Sequence, residues 1–137
     1  YFSKNKESWN VTCIDTGLET MTGGRLKRVE KFVDDTFCFT YGDTLNDLNI
    51  KKLINFHKEQ GRLATVTACK PTEKYGILEI EGEKVISFIE KPTVEEVWVN
   101  GGFFVLQPEI FDYIKNDSTI WEKEPMEKLT KNNQIFI

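Results

Sequence analysis

Within the first 70 residues, three β-prone runs are separated by two segments of helical periodicity, at spacings that suit alternation of strand and helix. Val11-Thr12-Cys13-Ile14 ends at Asp15-Thr16-Gly17, Phe37 to Tyr41 ends at Gly42-Asp43, and Ala64 to Ala68 supplies the third run. Between the first two, Leu26, Val29, Phe32 and Val33 recur at helical spacing behind a Gly23-Gly24 step, and Arg25, Lys27, Arg28, Glu30 and Lys31 take the other face. Before the third, Asn49 stands where an N-cap belongs, Ile50, Leu53, Ile54 and His57 share a face, and Gly61 stands at the expected helix stop. Strand, helix, strand, helix, strand is the βαβ arrangement, and right-handed crossovers make a parallel sheet the expected result.

The remainder changes character. Gly76 to Ile80, Lys84 to Ile89 and Trp98 to Leu106 are β runs with little helix between them, and Glu81-Gly82-Glu83 predicts a hairpin. Pro108 opens a short helix carrying Ile110, Phe111 and Ile114, Glu124-Pro125-Met126 opens another through Leu129, and Gln134 to Ile137 reads as a terminal strand. No repeat or linker interrupts the 137 residues, so one mixed-sheet domain is expected.

Charge and composition narrow the function. Eighteen basic against 22 acidic side chains leave a net charge of −4, which offers no broad attraction to nucleic acid or to anionic lipid. No apolar run approaches the roughly 20 residues of a membrane span. The start, Tyr1-Phe2-Ser3-Lys4, has neither an initiator Met nor a signal pattern, and the expectation is a cytoplasmic, internal piece of something longer. Cys13, Cys38 and Cys69 form an odd set without CxxC spacing, so they are expected to be reduced and buried rather than bridged or zinc-bound. The lone His57 lies on an apolar stripe and reads as structural, and no Ser or Cys setting supports a hydrolase triad.

Several short patterns can carry chemistry. Asp43 follows a strand at the edge where open α/β sheets place their ligand crevice; it suits Mg²⁺, or else serves as a turn or cap residue, with Asp47 as a competitor for either role. Glu90-Lys91-Pro92 emerges at a strand end, either as a solvated pair or as a hydroxyl acceptor and a phosphate-binding point charge. Tyr75-Gly76 and Asn100-Gly101-Gly102 each open a β run, where glycines permit a close ligand approach or simply form a bulge. Thr22-Gly23-Gly24-Arg25 can present backbone N–H groups and a guanidinium to a base or phosphate, a weak signal taken alone. Glu122, Lys123, Glu124 and Glu127 read as the ordinary charged start of a helix.

Taken in order, Trp9 to Thr12 with Asp15-Thr16-Gly17, Thr22 to Val29, Phe39 to Asp43, Leu63 to Ala68, Glu90-Lys91-Pro92 and Val99 to Val105 resemble the sugar-phosphate nucleotidyltransferases, and Thr22-Gly23-Gly24-Arg25-Leu26-Lys27-Arg28 favours their cytidylyl branch. The resemblance runs from Tyr1 to Ile137. It implies a Rossmann-like α/β fold with a mixed, mostly parallel sheet of the nucleotide-diphospho-sugar transferase type, incomplete at both ends, so that residues 1–137 form the central part of one domain. It implies an Mg²⁺-dependent reaction of CTP with α-D-glucose 1-phosphate to CDP-glucose and pyrophosphate, in the service of surface polysaccharide. Asp43 then matches the metal-binding aspartate and Lys91 the lysine that holds the sugar phosphate, these two being the catalytic pair. Tyr75, Gly76, Glu90, Lys91, Asn100 and Gly101 fall on sugar-pocket motifs, and Gly23, Gly24 and Arg25 map to the base and ribose end. The family's opening glycine-rich phosphate loop and its second metal-binding aspartate have no match in residues 1–137, and Thr44 stands where the family commonly has Gly. The chain by itself is therefore expected to be inactive. The alternatives are a non-catalytic sugar-nucleotide-binding module and a transferase that uses UTP or dTTP; a homo-oligomer is compatible with either.

Overall fold

The computed structural model describes residues 9–70, 77–89 and 98–137. Helix α1 (Thr22–Arg28) leads through a 3-10 turn at Glu30–Phe32 into strand β1 (Phe37–Thr40), helix α2 (Ile50–Gln60) and strand β2 (Ala64–Cys69). Strands β3 (Ile77–Glu81) and β4 (Lys84–Ile89) form a separate two-stranded hairpin, followed by β5 (Val99–Leu106), a 3-10 segment at Pro108–Tyr113, helix α3 (Glu124–Lys131) and the short β6 (Ile135–Phe136).

Local signals built these elements largely as expected. The Asn49 side chain accepts from the Lys52 N–H at 3.0 Å and caps α2, while Gly61 adopts φ 60° and returns its N–H to the His57 carbonyl. Gly82, also at φ 60°, makes the hairpin turn. The run at Pro108 is a 3-10 helix rather than an α-helix, closing after six residues.

The sheet order is β1-β5-β2-β6. Strands β1 and β2 point one way, as the alternation predicts, and β6 runs parallel to β2, but β5 inserts between β1 and β2 and runs antiparallel to both. The sheet is therefore mixed, with two antiparallel ladders and one parallel pair, rather than mostly parallel. The reason is the apolar run Phe103-Phe104-Val105-Leu106. Phe104, Val105 and Leu106 are essentially inaccessible, a burial that only a central strand provides.

Two further expectations change. Val11-Thr12-Cys13-Ile14 is not a strand: Val11 is exposed, and no neighbouring strand among the described residues offers it a ladder. The thiols of Cys13, Cys38 and Cys69 are free, but exposed rather than buried. Along β1, Phe37 and Phe39 take the inward face, and pleating turns the intervening Cys38 outward.

The core lies on the face of the sheet covered by α1, the 3-10 segment and α3. Trp121, completely buried, meets Phe39 and Phe104 edge-on at 6.3 and 6.0 Å between ring centroids. On the other face, α2 buries His57 completely; its Nδ1 lies 2.9 Å from Thr65 Oγ1 and its Nε2 2.9 Å from the Gln107 amide nitrogen. With the amide donating to Nε2, the imidazole proton sits on Nδ1 and is donated to Thr65. The structural reading of this histidine therefore stands.

Burial, reinforced by Lys58, holds the His57 pKa below its ordinary 6.5. The unfolded chain thus takes up the proton first, so this contribution to stability is complete above the unfolded value and is lost as pH falls through and below it. Thermal melts of the whole protein between roughly pH 7.5 and 5.5 are expected to show a declining Tm. The decline should flatten in His57→Gln; an unchanged slope in that variant would exclude His57 as its source.

Candidate active site

Because β1 and β2 run together and β5 runs against them, the C-terminal ends of β1 and β2 flank the start of β5. That edge gathers Tyr41-Gly42-Asp43, Thr67-Ala68 and Asn100-Gly101-Gly102, three segments far apart in sequence. Open α/β sheets form their ligand crevice at the carboxyl ends of parallel strands, and the inserted β5 adds its first residues to it.

The pairing of β2 with β5 shifts between Val66 and Ala68: Val66 faces Phe104, yet Ala68 faces Asn100, leaving two extra residues on β5. Gly101 and Gly102 take up this bulge. A Cβ on Gly101 would lie 2.8 Å from Thr67 Oγ1, and Gly102 has φ 77°, which a side chain would strain. Asn100 Oδ1 accepts from the Gly102 N–H at 2.8 Å, closing the bulge and leaving the side-chain amide to point toward Tyr41, where Nδ2 lies 3.5 Å from the hydroxyl.

Asp43 is exposed in a turn closed by the Thr44 N–H on the Tyr41 carbonyl at 3.4 Å. Thr44, in the position where the resemblance expects glycine, needs no left-handed backbone; Asn133 is the one non-glycine residue with positive φ among the described residues. The Thr44 side chain lies over Gly102, its Oγ1 2.9 Å and its Cγ2 3.0 Å from where a Cβ would stand, so the glycine makes room for it. Asp43, Asn100 and Gly101 thus share one sheet edge. Among the described residues no three His, Cys, Asp or Glu side chains gather as a metal site. The donor chemistry fits Mg²⁺ as far as a single exposed carboxylate goes, since this ion commonly takes one or two carboxylates and completes its shell with phosphate and water. Tyr75, Gly76, Glu90 and Lys91 lie outside the described residues.

Tyr41 stands at the centre of the edge. Its ring meets Phe39 and Phe104 edge-on, and its hydroxyl donates to Glu122 Oε1 at 2.5 Å. Burial first, then the Glu122 carboxylate, pushes the phenol well above its usual pKa, so it remains a proton donor. Glu122 was not recognisable from sequence, because its partners Tyr41 and Thr22 are 81 and 100 residues away.

Gly23 and Gly24 behave differently from the expectation. Both N–H groups bond the Thr119 carbonyl, at 2.9 and 3.2 Å, rather than facing the crevice. A Cβ on Gly23 would lie 2.8 Å from that carbonyl oxygen, and one on Gly24 would run into the Asp117 backbone, so the pair allows α1 to approach the 117–121 segment. Arg25 shares a cavity with Tyr41. Its guanidinium donates to Thr16 Oγ1 at 2.7 Å and to the Leu18 carbonyl at 3.0 Å, and it lines with Thr16, Thr22, Leu26, Val29, Phe39 and Tyr41 a cavity of ≈ 300 Å³. Alongside it, Arg28 grips Asp117 through Nε at 2.9 Å and Nη2 at 2.5 Å; the guanidinium holds that carboxyl below the usual carboxylate range.

Residues 3–135 match the protein-family model described as Nucleotidyl transferase. The chain is 50% identical over 135 residues to the glucose-1-phosphate cytidylyltransferase of Salmonella typhi, covering 97% of this chain and 52% of that protein. It is 38% identical over 133 residues to a Bacillus subtilis (strain 168) protein described as "Probable glucose-1-phosphate cytidylyltransferase", covering 96% and 52%. The chain thus spans about half the length of these curated relatives. In three dimensions it is similar to HddC from Yersinia pseudotuberculosis, with a TM-score of 0.58 at 24% identity over 81% of this chain and 50% of that one, a likeness of fold.

Proposed function

This chain belongs to the nucleotidyl transferase family, and from that premise we propose that the whole protein carrying it forms CDP-glucose and pyrophosphate from CTP and α-D-glucose 1-phosphate. The observation that carries this reading is the meeting of Asp43, Asn100 and Gly101 at one sheet edge, next to a cavity lined by Tyr41 and Arg25. The 50% identity to a named cytidylyltransferase supports CTP as the nucleotide.

In the proposed reaction, a phosphate oxygen of the sugar phosphate forms a bond to the α-phosphorus of CTP, the bond to the bridging oxygen breaks, and pyrophosphate leaves with the electron pair. Such a displacement depends mainly on in-line positioning and on neutralising charge. Bound Mg²⁺, held by Asp43, would supply charge neutralisation across the phosphates. Asn100 and the bulge at Gly101 border the sugar, while Lys91 and Glu90, with Tyr75 and Gly76, are assigned to the sugar phosphate and sugar hydroxyls on the family resemblance. Arg25 and Tyr41 wall the nucleotide end. Gly23 and Gly24 act there indirectly, by seating α1.

Pyrophosphate release by the whole protein, measured with CTP, UTP and dTTP in parallel and glucose 1-phosphate with Mg²⁺, tests the reading. CTP is expected to lead by at least about tenfold, a discrimination within reach of a few base contacts. Equal use of all three nucleotides would defeat the cytidylyl assignment, and nucleotide binding without release would favour a binding module. Turnover is proposed for the whole protein; the 137-residue chain alone is expected to release no pyrophosphate. The proposed setting is cytoplasmic, with the product passing to surface polysaccharide; among the described residues no helix is long and apolar enough to cross a membrane.

A further inference from the structure

Glu122 makes two contacts that span the proposed site. Oε1 accepts the Tyr41 hydroxyl at 2.5 Å, and Oε2 accepts the Thr22 hydroxyl at 2.8 Å. Thr22 Oγ1 in turn accepts the Trp121 backbone N–H at 2.9 Å, so the hydroxyl hydrogen is directed at Glu122. The backbone beside Glu122 is anchored by the completely buried Trp121 and by the Thr119 carbonyl, which holds the N–H groups of Gly23 and Gly24. The carboxylate, just ahead of α3, therefore ties Thr22 at the start of α1 to Tyr41 at the end of β1.

Tyr41 carries this constraint into the site. It lies two residues before Asp43, its hydroxyl is 3.5 Å from Asn100 Nδ2, its ring edge lies against the backbone of Gly102, and it shares the 300 Å³ cavity with Arg25. We propose that Glu122 is a positioning residue for the nucleotidyl transfer: by holding Tyr41 to Thr22 it sets the spacing between the nucleotide end on α1 and the metal and sugar edge at Asp43 and Asn100. The inference rests on the function proposed above. Glu122 is proposed to act through Tyr41 and Thr22, not on the reacting atoms themselves.

The observed pattern suits a carboxylate. Both partners donate, and glutamine offers one acceptor oxygen; its NH₂ could meet Thr22 only as a second donor to Oγ1 beside Trp121, with the hydroxyl hydrogen turned away and the negative charge lost. Aspartate is one methylene short of the span. Because Glu122 is exposed, these bonds add little to stability, and their worth is geometric.

The test compares Glu122→Gln, Glu122→Asp, Tyr41→Phe and the double variant Tyr41→Phe/Glu122→Gln in the whole protein, with CTP, glucose 1-phosphate and Mg²⁺. Each single change is expected to lower kcat about tenfold or more with KM and Tm nearly unchanged, and the double variant to lose no more than either single one. Unchanged kcat in both Glu122 variants would overturn the inference, as would losses that multiply in the double variant, which would mean that Glu122 does not act through Tyr41. A loss that appears only as a lowered Tm would reduce Glu122 to a structural role. If the unaltered protein releases no pyrophosphate from any nucleotide, the functional reading itself fails and the inference falls with it, an outcome distinct from a failure confined to the variants.

Discussion

If Asp43 holds Mg²⁺ as proposed, Asp43→Asn is expected to reduce Mg²⁺-supported turnover of the whole protein by about 10³-fold, because the change would replace a hard anionic ligand by a neutral amide of the same shape. The fold should survive, since Asp43 is exposed and its turn is closed by the backbone bond from Thr44 to Tyr41 rather than by the carboxylate. Pyrophosphate release titrated against Mg²⁺ checks this. A metal ligand predicts a lower rate and a weaker apparent Mg²⁺ affinity together, with Tm within about 1–2 °C of the unaltered protein. Activity within threefold, with the same Mg²⁺ dependence, would remove Asp43 from the metal site and return it to the role of a turn residue.

Gly24→Ala is expected to destabilise the whole protein by about 3 kcal/mol, although alanine is normally the better helix former by about 1 kcal/mol. The added methyl would enter the space held by the Asp117 backbone, which cannot turn aside as a side chain could. The same displacement would disturb the Thr119 carbonyl that receives the Gly23 and Gly24 N–H groups, and with it the seat of Trp121 and Glu122. Gly42→Ala supplies the contrast: nothing lies within 4 Å of its missing Cβ, and its φ is not in the left-handed region. Its stability should change by no more than about 0.5 kcal/mol. Denaturant midpoints for the two variants separate these cases, and a Gly24→Ala protein as stable as Gly42→Ala would show that α1 can move away without cost.

Gly23 and Gly24 mark where sequence reading met its limit. Two glycines ahead of a basic residue look the same whether their N–H groups face a phosphate or a neighbouring carbonyl, because both uses need the same small residue and the same exposed donors. Only the arrival of Thr119, about 95 residues later in the chain, decides between them. Asp43, Asn100 and Gly101 were more legible. A carboxylate after a strand and a glycine pair at the start of another are local patterns, but only the antiparallel course of β5 brings the two to one edge. Glu122 carried no such pattern; in sequence it is one charge among Glu122, Lys123, Glu124 and Glu127.

From its sequence alone the chain determined which stretches become β1, α2, β2, the β3–β4 hairpin, α3 and β6, because caps, positive-φ glycines and apolar periodicity act over a few residues, while the exact ends shifted by a residue or so. It also determined the common direction of β1 and β2, and the family to which the ordered motifs belong. The tertiary structure decided which strand fills the gap between β1 and β2, why Val11 to Ile14 forms no ladder, what the Gly23 and Gly24 donors bond, and that Glu122 joins Tyr41 to Thr22. Each of these depends on burial or hydrogen bonding between groups separated by tens of residues. Periodicity records that such a group wants a partner, and only the packed chain selects the partner.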